Sequence, residues 1–296
     1  MSDIHLVITD SGLGGLSVCA ETEKKLRDSN FCRRARMTYF NAWPEPNQGY
    51  NDLPDMPARA RVFDKALARI DELRPDLIII ACNTLSVVYK LTEYRRRTRI
   101  PVLGIIGAGV DLFEEALQAE PDGSIILFGT RTTIESGVHK EMLMAKGIRR
   151  ERICAIPCHG LAASIENDPE SLTVKNAVEV FVSQACRACS LGSPLYAGLC
   201  CTHYTYIRGW FRSELEKCSG RTVGILDPNE RLVEYILSFG TREADPSSLS
   251  CETSVEVISK IEIEEHKRLA ISKRLESISP ITASALLSYS WNRRLF

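Results

Sequence analysis

The chain has 296 residues, of which 44% are hydrophobic and 25% charged, with a net charge of −1. That is an ordinary globular composition, long enough for one large domain or two moderate ones without a disulfide or metal staple. It excludes the basic surplus of a nucleic-acid footprint, and the short runs Arg33-Arg34 and Arg95-Arg96-Arg97 read as solvated faces.

The chain enters an alternating apolar segment at Ile4 with no charged region and long apolar stretch before it, so no signal peptide is expected. The longest apolar runs, such as Leu77 to Cys82, are too short to span a bilayer. No membrane contact is expected, and the expected compartment is the cytoplasm. Eleven cysteines, an odd number, then point to a reducing environment and free thiols, most of them buried as small hydrophobes.

In chain order, short apolar runs alternate with helical patterns. Strands are predicted at Ile4–Thr9, Met37–Asn41, Leu77–Cys82, Val102–Ile106, Ser124–Phe128, Ile153–Pro157, Leu195–Cys200 and Val223–Leu226. Helices are predicted between them, at Leu16–Lys25, Ala58–Leu73, Ser86–Arg95, Ala108–Gln118, Glu135–Ala145, Val174–Ala188, Tyr206–Lys217 and Glu230–Phe239. This alternation predicts an α/β fold of mostly parallel sheets flanked by helices.

The elements fall into two similar lobes with a cleft between them. The first is expected to comprise residues 1–105 plus 222–240, with Val223 to Phe239 returning to complete it. The second comprises 106–221. Residues 241–296 form an extension expected to pack on the first lobe. In it Thr241 to Ser250 reads as a linker, Ser254 to Ile263 as a strand, and Glu264 to Ile278 as a charged helix.

Four segments carry chemistry. Asp10-Ser11-Gly12-Leu13-Gly14-Gly15-Leu16-Ser17 follows the first strand. Its glycines permit a tight turn and close backbone approach, and the helix N-terminus after it attracts an anion. A dinucleotide fingerprint is incomplete here: Ser17 replaces the third glycine, and no acidic residue ends the second strand. A carboxylate-binding turn fits better, with Asp10 and Ser11 reaching into the cleft.

Ala81-Cys82-Asn83-Thr84 sits at the end of an all-apolar strand, where open α/β sheets place their sites. A thiol at a helix start is expected to have a lowered pKa. Asn83 and Thr84 offer hydrogen bonds to a carboxylate or an ammonium. Cys201-Thr202-His203-Tyr204 ends a strand of the second lobe in the same way, and its imidazole is placed to exchange a proton with the thiol. Cys200 is expected to point into the core. With no CxxC or HxxxH partner, these residues do not make a zinc site, and no metal is expected. In Gly129-Thr130-Arg131-Thr132-Thr133-Ile134-Glu135-Ser136, Thr133 reads as a helix cap and Thr130 as the better ligand candidate.

Together, Asp-Ser-Gly-x-Gly-Gly-Leu, Cys-Asn-Thr, Gly-Thr-x-x-Thr-Ile-x-Ser and Cys-Thr-His-Tyr, in this order over roughly residues 3 to 240, resemble glutamate racemase in the aspartate/glutamate racemase superfamily. The resemblance implies two α/β lobes with an amino-acid substrate between them and no cofactor. Cys82 and Cys201 would be acid/base thiols on opposite faces of the substrate. Asp10 would assist the first and His203 the second. Ser11, Asn83, Thr84, Thr130 and Thr202 would hold the substrate's charged groups. The product would be D-glutamate for bacterial peptidoglycan, and a homodimer is one expected assembly.

Two stretches differ from the family pattern. The family's Asp-x-Ala-Arg-x-Pro-Tyr-Gly, whose Pro-Tyr-Gly helps bind the side-chain carboxylate, is replaced by Asn41-Ala42-Trp43-Pro44-Glu45-Pro46-Asn47-Gln48-Gly49-Tyr50, in which Pro46 and Gly49 are the nearest equivalents and the tyrosine is displaced. After Pro157 the usual acidic support for the histidine beside the second cysteine, here His203, is missing until Glu166, so either Glu166 or His159 completes the proton network. Racemisation of aspartate or another amino acid, a decarboxylase or double-bond isomerase of the same superfamily, and a ligand-sensing protein on this scaffold are the alternatives.

Overall fold

The computed structural model describes residues 3–29, 31–189, 192–239 and 251–296. The first lobe opens with β1 (Ile4–Asp10), α1 (Leu16–Arg27), β2 (Arg34–Asn41) and α2 (Met56–Glu72). It continues through β3 (Leu77–Ile80), α3 (Asn83–Tyr89), α4 (Tyr94–Arg97) and β4 (Val102–Gly104), and α5 (Ile105–Ala119) then crosses to the second lobe, burying Val110, Phe113 and Leu117 against its Ile125 and Leu127. The second lobe runs through β5 (Ser124–Gly129), α6 (Arg131–Glu135), α7 (Val138–Ala145), β6 (Ile153–Pro157), α8 (Leu161–Asn167), α9 (Leu172–Ala188), β7 (Leu195–Cys200), α10 (Arg208–Ser219) and β8 (Val223–Leu226). Then follow α11 (Pro228–Ser238), β9 (Glu252–Ser259), α12 (Glu265–Leu275), α13 (Pro280–Leu287) and β10 (Ser290–Trp291).

The strands form two sheets, β10-β9-β2-β1-β3-β4 and β6-β5-β7-β8, with every pairing parallel. Side chains alternate across each sheet as a period of two requires. In β1, Leu6 and Ile8 enter one core and Val7 the other. In β5, Ile126 and Phe128 face one core while Ile125 and Leu127 face the opposite one. Burial on both faces explains why these strands read as continuous apolar runs.

The order β2-β1-β3-β4 in one lobe recurs as β6-β5-β7-β8 in the other. Each reverses direction of strand addition beside its first strand, and each third strand leads into a cysteine turn. This repeated order corrects the placement of Val223–Leu226. It is the edge strand of the second sheet, paired with β7, and does not return to the first. Its helix does return: Leu232, Val233 and Ile236 of α11 lie in the first lobe's core.

Residues beyond 250 add two strands, β9 and β10, to the first sheet. β9 pairs with β2 from Arg34↔Glu252 to Asn41↔Ser259, and Ile271, Leu275 and Leu286 of the following helices bury against the same core. The helix Pro280–Leu287 was not anticipated, and the expected linker at 241–250 lies outside the described residues. No helix among the described residues is long and apolar enough to cross a membrane.

The expectation of free thiols is also corrected. Cys154–Cys189 and Cys186–Cys218 are disulfide-bonded, because β6, α9 and α10 bring their Cα atoms to 5.9 and 6.7 Å, within disulfide reach. Seven cysteines remain free, all buried.

Candidate active site

Asp10, Cys82, Thr130 and Cys201 lie at the carboxyl ends of β1, β3, β5 and β7, beside the two positions where strand order reverses. Parallel sheets concentrate sites there because the strand ends and following helix starts leave a crevice. With the lobes facing, these turns line one cavity of about 130 Å³ together with Ser11, Asn83, Thr84, Thr202 and His203. Gly49 lines it too, but Pro46 does not. Pro46 is exposed and borders a neighbouring cavity instead, because a turn closed by a Glu45–Gln48 bridge carries it outward.

Asp10 and Ser11 line the cavity as expected, and the glycines after them also serve the contact between the lobes. A Cβ on Gly14 would lie 2.5 Å from His203 Nδ1 and 2.7 Å from the His203 backbone nitrogen, and one on Gly15 would lie 2.8 Å from Asp10 Oδ2. No real side chain fits there. The missing Cβ of Gly14 lets the second lobe's Thr202-His203 turn seat directly on the first lobe's backbone, and that of Gly15 leaves room for the Asp10 side chain. Thr202 Oγ1 donates to Asp10 Oδ2 at 2.8 Å, and the Leu13 amide donates to Glu166 Oε1 at 2.6 Å, so the loop ties the lobes together at the site.

Around Cys201 a relay is in place. Its Sγ is 3.6 Å from His203 Nδ1, and His203 Nε2 is 2.7 Å from Glu166 Oε1. Glu166, on the second turn of α8, therefore supplies the carboxylate that the sequence left open between it and His159. His159 lines the cavity without a bond to this network. Burial by itself favours the neutral forms of both partners, but their mutual bond and charge override it. For His203, burial acts downward while Cys201 and Glu166 raise its pKa well above the ordinary value. For Glu166, burial acts upward while His203 and the Leu13 amide bring it below. Both directions favour the imidazolium–carboxylate form of the pair. Cys200, one residue earlier in β7, points into the opposite core.

Cys82 stands in contrasting surroundings. Its Sγ caps α3, accepting from the Leu85 amide at 3.4 Å, and lies 3.2 Å from Ser11 Oγ. These contacts, like the helix start that led to the expectation of a lowered pKa, favour a thiolate. They are outweighed: burial first, then the charge of Asp10, push this thiol up. Asp10 is itself raised, chiefly by burial.

The hydroxyl cluster opposite is shared between the lobes. Thr84 Oγ1 is 2.8 Å from Thr130 Oγ1 and 3.3 Å from Thr133 Oγ1. The cap of α6 is Thr130, which accepts from the Thr133 amide, rather than Thr133 as the sequence suggested. Several buried polar atoms of the cavity wall have no protein partner: Asp10 Oδ1, both side-chain atoms of Asn83, and the Tyr50 hydroxyl. Buried polar groups are ordinarily satisfied, so this set marks where a polar ligand would be received.

Sequence reasoning missed Tyr50 and Asn51. Tyr50 opens a 3-10 turn at Tyr50–Asp52, which puts it in the cavity wall with its ring edge-on to Phe63. Asn51 crosses to the other lobe and accepts from the Thr132 hydroxyl at 2.7 Å. The only signal was the polar, glycine-containing character of the altered loop. Among the described residues, no group of three or more His, Cys, Asp or Glu side chains is arranged to hold a metal ion.

Comparison with known proteins agrees with this architecture. The chain is 26% identical over 280 residues to the glutamate racemase of Clostridium perfringens, covering 91% of this chain and 95% of that one. The fold is similar to that of the Francisella tularensis glutamate racemase solved in complex with D-glutamate, with a TM-score of 0.70, 18% identity and coverage of 98% and 96%. The Campylobacter jejuni glutamate racemase structure gives a TM-score of 0.67 at 22% identity, covering 90% of this chain and 96% of its own. The model of the Asp/Glu/Hydantoin racemase family matches residues 32–236. That match spans more than half of the chain, and the protein belongs to the Asp/Glu/Hydantoin racemase family.

Proposed function

We propose that this protein is a cofactor-independent glutamate racemase that inverts the α-carbon with two thiols, Cys82 and Cys201. The observation that carries the reading is the presence of both sulfurs in the wall of one inter-lobe cavity, each delivered by the turn after the third strand of its own lobe. The family membership and the names of the similar proteins support glutamate as the substrate.

Inversion takes a proton from one face of Cα and returns one to the other, so it needs a base and an acid on opposite sides at the same moment. The two environments differ in the required sense. Cys82 is kept protonated by burial and by Asp10, and serves as the starting acid. Cys201 has the His203 imidazolium beside its sulfur, able to balance a thiolate, and serves as the starting base. The Cα–H proton passes to Cys201 Sγ while the Cys82 S–H proton passes to the opposite face of Cα. The sulfurs then carry opposite protonation states, and the reverse direction uses them with exchanged roles.

The negative charge that develops on Cα during this exchange needs fixed dipoles in a dry site. Asn83, Thr84 and Thr130 are the side-chain donors available to the α-carboxylate, while the Thr202 hydroxyl, which gives its proton to Asp10, presents its oxygen as an acceptor for the α-ammonium. Ser11 holds Cys82 Sγ in place. The amide of Asn83 and the hydroxyl of Tyr50 are ready to accept a ligand's polar groups without breaking any existing bond. Incubation of the purified protein with L-glutamate, followed by chiral analysis, tests the reading: D-glutamate accumulates to equal amounts. Racemisation of aspartate but not glutamate would reassign the substrate, and inactivity on both would sink the proposal.

A further inference from the structure

A second pair of sulfurs lies away from the cavity. Cys32 precedes β2 and Cys251 precedes β9, 219 positions apart in sequence. The parallel register sets Arg34 opposite Glu252, and the Glu252 amide donates to Arg33 O at 3.0 Å. The two cysteines are thereby side by side at the start of adjacent strands. Their Sγ atoms are 2.9 Å apart, and both residues are buried, at 4% and 2% exposure. β2 runs from here toward Asn41 and Trp43, so the pair sits at the end of the sheet opposite the cavity.

We propose that Cys32 and Cys251 are a redox modification site, at which a hydroperoxide-class oxidant forms a disulfide that clasps the carboxy-terminal strand β9 to β2. The structure already bonds two other cysteine pairs in the second lobe. This pair is the corresponding clasp for the first. Cys251 is the attacking sulfur: the hydrogen bond from Cys32 outweighs burial and favours its thiolate. The thiolate attacks one peroxide oxygen, the O–O bond breaks, and a sulfenic acid forms with release of water once the departing hydroxide takes a proton. Cys32 sulfur then attacks the sulfenic sulfur, the S–O bond breaks, and a second water leaves with the Cys32 proton. In sum, two thiols and one hydrogen peroxide give one disulfide and two waters. Because the bond joins positions so far apart in sequence, it removes freedom chiefly from the unfolded chain.

The test uses the full chain, treated with dithiothreitol or with hydrogen peroxide, alkylated with N-ethylmaleimide under denaturing conditions and digested without reduction. After peroxide, mass spectrometry is expected to find the Cys32 and Cys251 peptides linked to each other. After dithiothreitol, both are alkylated. The oxidised chain should melt higher than the reduced chain, on the order of 5–15 °C in combination with the other bonds, and Cys32→Ser should lose part of that gain. Full alkylation of Cys32 and Cys251 after peroxide, or linkage of either to another cysteine, overturns the site. A linked pair whose removal in Cys32→Ser leaves the oxidised melting temperature unchanged overturns the clasp. Peptide mapping of the unsubstituted chain decides the site even if the variant does not fold.

Discussion

Glu166 Oε1 lies 2.7 Å from His203 Nε2 and 2.6 Å from the Leu13 amide, so one carboxylate oxygen joins α8, the turn after β7 and the glycine-rich loop after β1. The bond holds the imidazole in the orientation that presents Nδ1 to Cys201, and it holds the two lobes in register. Glu166→Gln keeps the shape and removes the charge. We expect kcat for glutamate to fall about 100-fold, in the range of a lost acid–base assistant. His203 would lose the neighbour that raises its pKa, so the alkaline limb of the pH–rate profile should move to lower pH. A profile unchanged in position would show that Glu166 serves packing alone.

The same pair contributes to stability in a defined window. Glu166 titrates below its unfolded value and His203 above its own. The Glu166 contribution is full above about pH 4.3 and fades as pH falls through its lowered folded pKa. The His203 contribution is full below about pH 6.5 and fades as pH rises through its raised folded pKa. The melting-temperature gap between the unsubstituted protein and Glu166→Gln should be widest between these limits and narrow on both sides. Thermal melts across pH 3 to 9 check this.

Gly14 separates packing from ligand binding as the reason for the glycine loop. Gly14→Ala drives a Cβ into the Thr202-His203 turn, so kcat/KM should fall more than about 100-fold, as expected for misplacing reacting groups by about 1 Å. Gly107→Ala, where a Cβ meets nothing within 4 Å, is the control and should leave activity intact. Equal behaviour of the two variants would contradict the seating role.

Tyr50 makes a prediction about specificity. Its hydroxyl is buried without a protein partner, while its ring packs on Phe63. Tyr50→Phe should leave the melting temperature unchanged or slightly raised, because no bond is lost and a desolvated hydroxyl is removed. If the hydroxyl receives substrate, KM for glutamate should rise about tenfold, the equivalent of one hydrogen bond to a charged group. A lower melting temperature with unchanged KM would assign the hydroxyl to the fold.

Much of this site was legible before the structure. Strand-end placement and the helix that follows made Cys82 and Cys201 comparable, and the repeated order β2-β1-β3-β4 and β6-β5-β7-β8 gives that likeness a structural basis. The segment Val223–Leu226 was misplaced because four apolar residues carry no information about which sheet they join. Register with β7 decides it. The pairing of β9 with β2 was equally hidden, since the partners are 218 positions apart at Arg34 and Glu252. A helix N-terminus beside Cys82 suggested an acidic thiol, but burial and Asp10, neither visible locally, reverse the direction. Glu166 was one of two candidates until α8 carried it to His203.

Two thiols on opposite faces of Cα leave an isotopic signature that one thiol cannot. It is tested most directly by racemisation of L-glutamate in deuterium oxide, followed by proton NMR and chiral separation at early conversion. The D-glutamate formed should carry deuterium at Cα while the remaining L-glutamate keeps its proton, because acid and base are different sulfurs. Cys82→Ser and Cys201→Ser should each lower the rate by at least about 1,000-fold. Equal deuterium in substrate and product, or full activity in either variant, would contradict it.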